Sequence, residues 1–264
     1  MTSLQGLAIA ASVMAGEKIL EVYNREFTIE TKSDNSPLTE ADKLSHKVIK
    51  QALGETGFKI LSEEGRQIDY SERKNWETYW LIDPLDGTKE FIKKSGEFTV
   101  NIALIKGGVP VMGVVYAPVT GALYFGIEES GSFYCNVPAA SRVDVDAILQ
   151  ASQKLPLHRN NNAYTIVASK SHNTPETDAF IEEKKKKYNN VNLVSAGSSI
   201  KLCLVAEGSA QVYPRLAPTM EWDTAAGHAV AKFAGCTVYD YNTKTDLIYN
   251  KENLLNPWFV VEKL

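Results

Sequence analysis

Cysteine is scarce in this chain: three in 264 residues, Cys135, Cys203 and Cys236. Their number is odd and their spacing wide, which excludes a disulfide framework and a thiolate zinc cluster and fits a reducing compartment. Histidine is nearly as rare. None of the four, His46, His158, His172 and His228, has zinc-ligand spacing to another His or to a Cys. An excess of basic charge is also missing: 28 Lys and Arg stand against 32 Asp and Glu, a net charge of −4. That balance argues against a general nucleic-acid or anionic-membrane surface. No apolar run approaches about 18 residues, so no transmembrane segment is expected. The opening Met1-Thr2-Ser3-Leu4-Gln5 lacks the basic region and apolar block of a secretory signal. The expected location is the cytoplasm, with peripheral contact at the inner membrane left open.

What is present is ordinary for a globular protein: 44% hydrophobic and 23% charged residues, enough for one large domain or two intimate ones. Leu4, Leu7, Ala8, Ala11, Met14, Ala15, Ile19 and Val22 form one helical stripe over Leu4 to Tyr23. Thr39 with Asp42 reads as a capping box opening a helix to about Leu53. Arg66 to Glu77 is polar and reads as a surface excursion. From Glu97 to Tyr134 the pattern turns to β-rich runs separated by Gly-containing turns, which predict an antiparallel meander. Beyond Tyr164 strand and helix patterns alternate, as in layered α/β structure. The weakly patterned connection Ser141 to His158 divides the chain into 1–145, an α+β half with an antiparallel sheet, and 146–264, an α/β half.

One stretch organises the rest: Trp80-Leu-Ile-Asp-Pro-Leu-Asp-Gly-Thr88. Its apolar run predicts a buried strand. An apolar interior cannot hold Asp83 and Asp86 unless something compensates their charge. Pro84 removes a ladder donor and is expected to stop the strand. Gly87 allows a close turn, and Thr88 sits where a helix can begin. Two acids, the carbonyl of Leu85 and a hydroxyl are thereby crowded at one strand end, a donor set that suits a hard cation such as Mg²⁺.

The pattern repeats at Lys59-Ile-Leu-Ser-Glu63-Glu64, a short strand running into carboxylates, and Glu221-Trp222-Asp223 opens a helix. Asp34 lies in a turn with no capping duty, whereas Asp42 reads as a cap. If Asp34, Glu63, Asp83, Asp86 and Asp223 converge, their charge of about −5 repels phosphate, whereas two or three Mg²⁺ bring it to about −1 or +1. Such ions acidify water, and Thr88 can relay its proton if Asp34 holds the hydroxyl. Ser198 and Ser199 open a helix whose free N–H groups favour anions, and Lys201 and Arg215 stand at neighbouring element ends.

Trp80 to Thr88 together with Trp222-Asp-Thr-Ala-Ala-Gly-His228 resembles the paired signatures of the inositol monophosphatase superfamily, Mg²⁺-dependent and lithium-sensitive phosphatases. Lys32-Ser-Asp-Asn-Ser-Pro-Leu-Thr39, Leu61-Ser-Glu-Glu64, Gly96-Glu-Phe-Thr-Val-Asn-Ile-Ala103 and Gly197-Ser-Ser-Ile-Lys-Leu-Cys-Leu-Val-Ala-Glu-Gly208 are similar to its bacterial 3′(2′),5′-bisphosphate nucleotidase branch. The resemblance implies a layered α-β-α-β-α sandwich of the sugar-phosphatase kind. It implies metal ligation by Glu63, Asp83, the Leu85 carbonyl, Asp86 and Asp223, with two or three Mg²⁺. Asp34 and Thr88 would activate water beside Glu63. Gly87, Thr88, His172, Ser198, Lys201, Arg215 and Asp223 would contact the substrate, adenosine 3′,5′-bisphosphate, whose hydrolysis to AMP and phosphate serves sulfur assimilation. Met220-Glu221 departs from the common pattern and is expected to leave the ligands untouched. An inositol or other sugar monophosphatase is the alternative. The expected partner is the small nucleotide alone, on a monomer or homodimer.

Overall fold

The computed structural model describes residues 3–31, 37–140, 142–157, 163–169 and 174–263. Helix α1 (Leu4–Tyr23) starts at Ser3, whose hydroxyl accepts the Gly6 N–H. Strands β1 (Ile29–Thr31) and β2 (Pro37–Thr39) pair antiparallel and lead into α2 (Glu40–Gly54). The Thr39/Asp42 capping box forms as its sequence predicts. Then come β3 (Lys59–Ser62), α3 (Tyr70–Arg73), β4 (Thr78–Asp86), α4 (Thr88–Ile92), β5 (Thr99–Lys106), β6 (Val109–Ala117), β7 (Ala122–Ile127), β8 (Gly131–Asn136), α5 (Val145–Ala151) and β9 (Gln153–Lys154). The rest of the chain supplies β10 (Tyr164–Ser169), α6 (Pro175–Lys187), β11 (Val191–Ala196), α7 (Ile200–Ala206), β12 (Val212–Arg215), α8 (Glu221–Phe233), β13 (Cys236–Asp240) and β14 (Phe259–Lys263).

Among the described residues, β3 to β9 form a seven-stranded sheet in sequence order, parallel at β3/β4 and antiparallel elsewhere. A second, five-stranded sheet has the order β11-β10-β12-β14-β13. Helices α1 and α2 cover one face of the first sheet, and α8 covers the other with α7 beside it. Helix α8 also packs on β13, and α7 on β10, β12 and β14, so the helix pair lies between the sheets; α6 packs on β12. The result is the expected α-β-α-β-α sandwich.

Side-chain alternation along β4 explains why both its faces are apolar. Trp80 and Ile82 join a core with Ile9 and Ile49 of the α1/α2 layer, while Tyr79 and Leu81 join one with Ala225, Ala226 and Val230 of α8. Asp83 continues the second series and so faces α8. Helix α8 comes very near the sheet because Gly113 and Gly126 pair across β6 and β7 beneath it. A Cβ at Gly113 would stand 2.3 Å from the Ala226 carbonyl oxygen, and one at Gly126 2.8 Å from that of Ala229.

Two expectations are corrected. Pro84 does not stop the strand: β4 runs to Asp86, with a register shift after the Asp83↔Asn101 pair and pairing resumed at Asp86↔Thr99. The bulge absorbs the missing N–H, and the freed Pro84 carbonyl accepts the Ser45 hydroxyl at 2.6 Å. Nor is the segment from Arg66 to Glu77 merely superficial, since it holds α3 and its Arg73 is buried.

Candidate metal and phosphate site

Each acid of the site is delivered by the end of an element. Asp83 stands just before the bulge, its Oδ1 accepting the Leu85 N–H at 3.0 Å. Glu63 follows β3, and its own N–H donates to the Ile82 carbonyl. Asp223 lies in the first turn of α8, its Oδ2 accepting the Met220 N–H at 2.8 Å. Met220 therefore does touch a candidate ligand, through a backbone group that any residue except proline would supply. One oxygen from each of Glu63, Asp83 and Asp223 falls within 4.8 Å of the others.

That proximity is costly without a cation. Burial raises the Asp83 carboxyl well above the ordinary range, and Glu63, Asp86 and Asp223 push it further. Burial and then Asp86 do the same to Asp223, while the Met220 N–H and Arg215 pull the other way. Hard oxygen donors with no His or Cys among them fit a hard divalent ion and not zinc.

Asp86 enters through a polar network. Its Oδ2 lies 2.7 Å from the Ser199 hydroxyl and 3.3 Å from Asn101 Nδ2. Ser199 Oγ is also 2.7 Å from the Asp223 carbonyl oxygen and 2.8 Å from Asn101 Nδ2, so one hydroxyl ties β4 to α8. Gly87 takes φ of 97°, the left-handed turn that swings Thr88 back over the acids. Thr88 Oγ1 then reaches the Leu85 carbonyl at 3.4 Å and Asp42 Oδ1 at 3.2 Å. Asp42 is thus both the cap of α2 and the described carboxylate partner of Thr88. Asp34, expected in that second role, lies outside the described residues, as does His172.

A cavity of about 270 Å³ opens over this floor, and its lining combines Glu63, Asp86, Thr88 and Asp223 with Ser198, Lys201 and Arg215. Lys201 is buried, its ammonium donating to the Ser198 carbonyl at 2.6 Å and the Ala196 carbonyl at 3.3 Å. Burial lowers its pKa to about 8, with Arg215 adding to the drop and Asp86, Glu90 and Glu97 opposing it. Arg215 Nη2 donates to the Pro218 carbonyl at 3.0 Å, and its buried Nε has no protein partner. Ser198 has φ of 45° and a buried hydroxyl likewise without one.

The structure brings together Glu63, Asp83, Leu85, Asp86, Gly87, Thr88, Ser198, Lys201, Arg215 and Asp223, all named from sequence. Asn101, which binds Asp86, carries no site role in the sequence reading, and Ser199, read there as opening an anion-favouring helix, instead holds Asp86 through its hydroxyl. An asparagine inside the otherwise apolar run Val100 to Ile105 was the available signal for the first. His228, on the same helix as Asp223, is a packing residue: it is buried, 3.0 Å from the Tyr249 hydroxyl, with its pKa lowered to about 3 chiefly by burial. No helix among the described residues is long and apolar enough to cross a membrane.

A family model, the inositol monophosphatase family, matches residues 1–262. The chain is 43% identical over 252 residues to the 3′(2′),5′-bisphosphate nucleotidase CysQ of Shigella flexneri, covering 94% of each. It is 32% identical to that of Haemophilus influenzae over 252 residues, 94% of this chain and 88% of the relative. Among solved structures, CysQ from Bacteroides thetaiotaomicron superposes with a TM-score of 0.89 at 52% identity, covering 97% of this chain and 96% of that one. An IMPase of Thermotoga maritima, 20% identical, shares the fold with a TM-score of 0.74, covering 96% and 89%.

Proposed function

The chain belongs to the inositol monophosphatase family, and from that premise we propose that it is a 3′(2′),5′-bisphosphate nucleotidase. It removes the 3′-phosphate of adenosine 3′,5′-bisphosphate, releasing AMP and phosphate. Metal dependence is general in the family, and the acidic cluster supports it here. On this reading Glu63, Asp83, Asp86, Asp223 and the Leu85 carbonyl hold two or three Mg²⁺. Bound there, such ions would supply charge neutralisation for a phosphoryl group and a lowered pKa for water. Thr88 Oγ1 accepts the water's proton while passing its own to Asp42 Oδ1, or to Asp34 as the resemblance implies. Lys201, Arg215 and Ser198, with His172, bind the nucleotide and its 5′-phosphate. On the proposed division, residues 1–145 supply most of the metal ligands and 146–264 supply Asp223 and the cations.

The observation that carries this reading is an acidic floor and two cations lining one cavity, in a chain that matches a CysQ relative over 94% of its length. A monophosphate needs no such second anion site. With Mg²⁺, kcat/KM for adenosine 3′,5′-bisphosphate is expected to exceed that for inositol 1-phosphate by about 10²-fold. The reverse ranking makes the protein a sugar monophosphatase instead.

Lys201 adds a pH signature. Its ammonium is present below its pKa of about 8 and lost above it, so the 5′-phosphate loses a partner as the solution becomes alkaline. KM is expected to rise about ten-fold between pH 7 and 9 with kcat little changed, and Lys201→Met to show the high KM at every pH. An identical KM profile in the variant removes Lys201 from substrate binding.

A further inference from the structure

Among the described residues, Glu63 follows β3 and Asp223 opens α8, two elements that share no strand pairing. Beside the acids, residues of both segments line a cavity of about 440 Å³, among them Glu63, Arg73, Met220, Trp222 and Leu254. The spacing of the two acids is nevertheless spanned by a strap. Arg73, on α3 in the segment that follows Glu63, is only 2% exposed. Its Nη1 donates to Asn250 Oδ1 at 2.9 Å and the Lys251 carbonyl at 2.6 Å, and its Nη2 to the Glu252 carbonyl at 2.8 Å. Asn250 Nδ2 returns a bond to the Arg73 carbonyl at 2.8 Å.

The opposite side of the same turn grips α8. Glu221, fully buried, accepts the Asn250 N–H at 2.7 Å, the Lys251 N–H at 3.0 Å and the Lys251 ammonium at 2.6 Å. Asn256 Nδ2 adds bonds to the Met220 carbonyl at 2.7 Å and Thr224 Oγ1 at 3.0 Å. Among the described residues the acceptors of Arg73 are neutral oxygens. A buried guanidinium held in this way is a poor source of stability compared with an apolar side chain. What its planar fork supplies is geometry: three acceptors held in fixed directions.

We propose that Arg73 is a positioning residue which, through the turn 250–252 and Glu221, sets the separation of Glu63 and Asp223 and hence the affinity for the divalent metal. The proposal rests on the metal-site reading above. Two variants loosen the strap differently. Arg73→Lys keeps the charge and loses the fork. Asn250→Gly loses the side-chain bonds but suits a backbone with φ of 68°. Leu123→Ala, buried in the α1-side core, serves as a comparison that destabilises without touching the strap.

Mg²⁺ binding to the metal-free protein is measured by calorimetry, and activity is titrated with Mg²⁺. In both strap variants the Kd and the half-saturating Mg²⁺ are expected to rise about ten-fold, with kcat at saturating Mg²⁺ held within about two-fold. Leu123→Ala is expected to lower Tm and leave Mg²⁺ affinity unchanged. Strap variants that bind Mg²⁺ like the parent overturn the proposal, and so does an equal loss in Leu123→Ala, which makes the effect general destabilisation. A parent protein that takes up no Mg²⁺ overturns the metal-site reading first.

Discussion

Asp83→Asn is expected to reduce kcat by about 10⁴-fold, about 5 kcal/mol of barrier, while leaving a folded protein. Asp83 lies at the centre of the acidic cluster and contributes an oxygen beside those of Glu63 and Asp223. An amide in its place lowers the cluster's charge by one and weakens every ion held there. The fold survives because Asn mimics the protonated acid. Its Oδ1 still accepts the Leu85 N–H, and its neutral NH₂ stands where burial and Glu63 favour a protonated Asp83 when metal is absent.

The same substitution stabilises the metal-free protein, which separates a ligand from a structural acid. Burial and the neighbouring acids hold the carboxyls of Asp83 and Asp223 well above the ordinary aspartate range, near 3.8, in the folded state. Between that value and the raised one the native state binds more protons than the unfolded chain, so stability falls as pH rises through this window. In EDTA the parent is therefore expected to melt lower at pH 8 than at pH 5.5. Asp83→Asn removes part of that slope and gains about 1–2 kcal/mol at pH 8, a Tm rise of roughly 2–8 °C. Saturating Mg²⁺ is expected to reverse the order of the two proteins. A variant that melts lower than the parent in EDTA, or that keeps its activity, contradicts the assignment of Asp83 as a metal ligand.

Much of this site was legible because its chemistry is local. Asp83, Leu85, Asp86, Gly87 and Thr88 occupy one strand end, and carboxylates that close an apolar run announce an uncompensated charge before any fold is known. Glu63 carries the same signal, and Asp223 is marked instead by its place at a helix start. What remained hidden depends on distant pairing. Arg73 reads as surface because the Asn250 and Lys251 groups that bury it lie 177 and 178 residues further on. Ser199 reads as a helix start, and only the approach of α8 to β4 makes its hydroxyl a link between Asp86 and Asp223. Strand β14 has no local cue for its place between β12 and β13, which only the completed sheet reveals. Pro84 misled because a bulge can absorb the donor that proline lacks, and bulges are decided by the partner strand.

Removing the Thr88 hydroxyl is the second large effect: Thr88→Val is expected to lower kcat by about 10³-fold, with Mg²⁺ affinity and KM little changed. The reason lies in the direction of one proton. With Thr88 donating to Asp42 Oδ1, its lone pairs are left to receive the proton of the attacking water. Asp42 can serve in this way because its two oxygens are divided. Oδ2 accepts both the Thr39 N–H and the Thr39 hydroxyl at 2.7 Å, and Oδ1 faces Thr88. Asn at position 42 has one acceptor only. Two hydrogen bonds and a helix cap worth about 1 kcal/mol hold that oxygen on Thr39, so the NH₂ turns to Thr88 and occupies the lone pair that water needs. Asp42→Asn should therefore lose nearly as much kcat as Thr88→Val, and the double variant no more than either, because one relay is broken once. Asp34→Asn in the same assay ranks the two carboxylates as proton acceptors. A double variant whose loss is the product of the single losses would separate Asp42 from Thr88, and a fully active Thr88→Val would leave the water without this base.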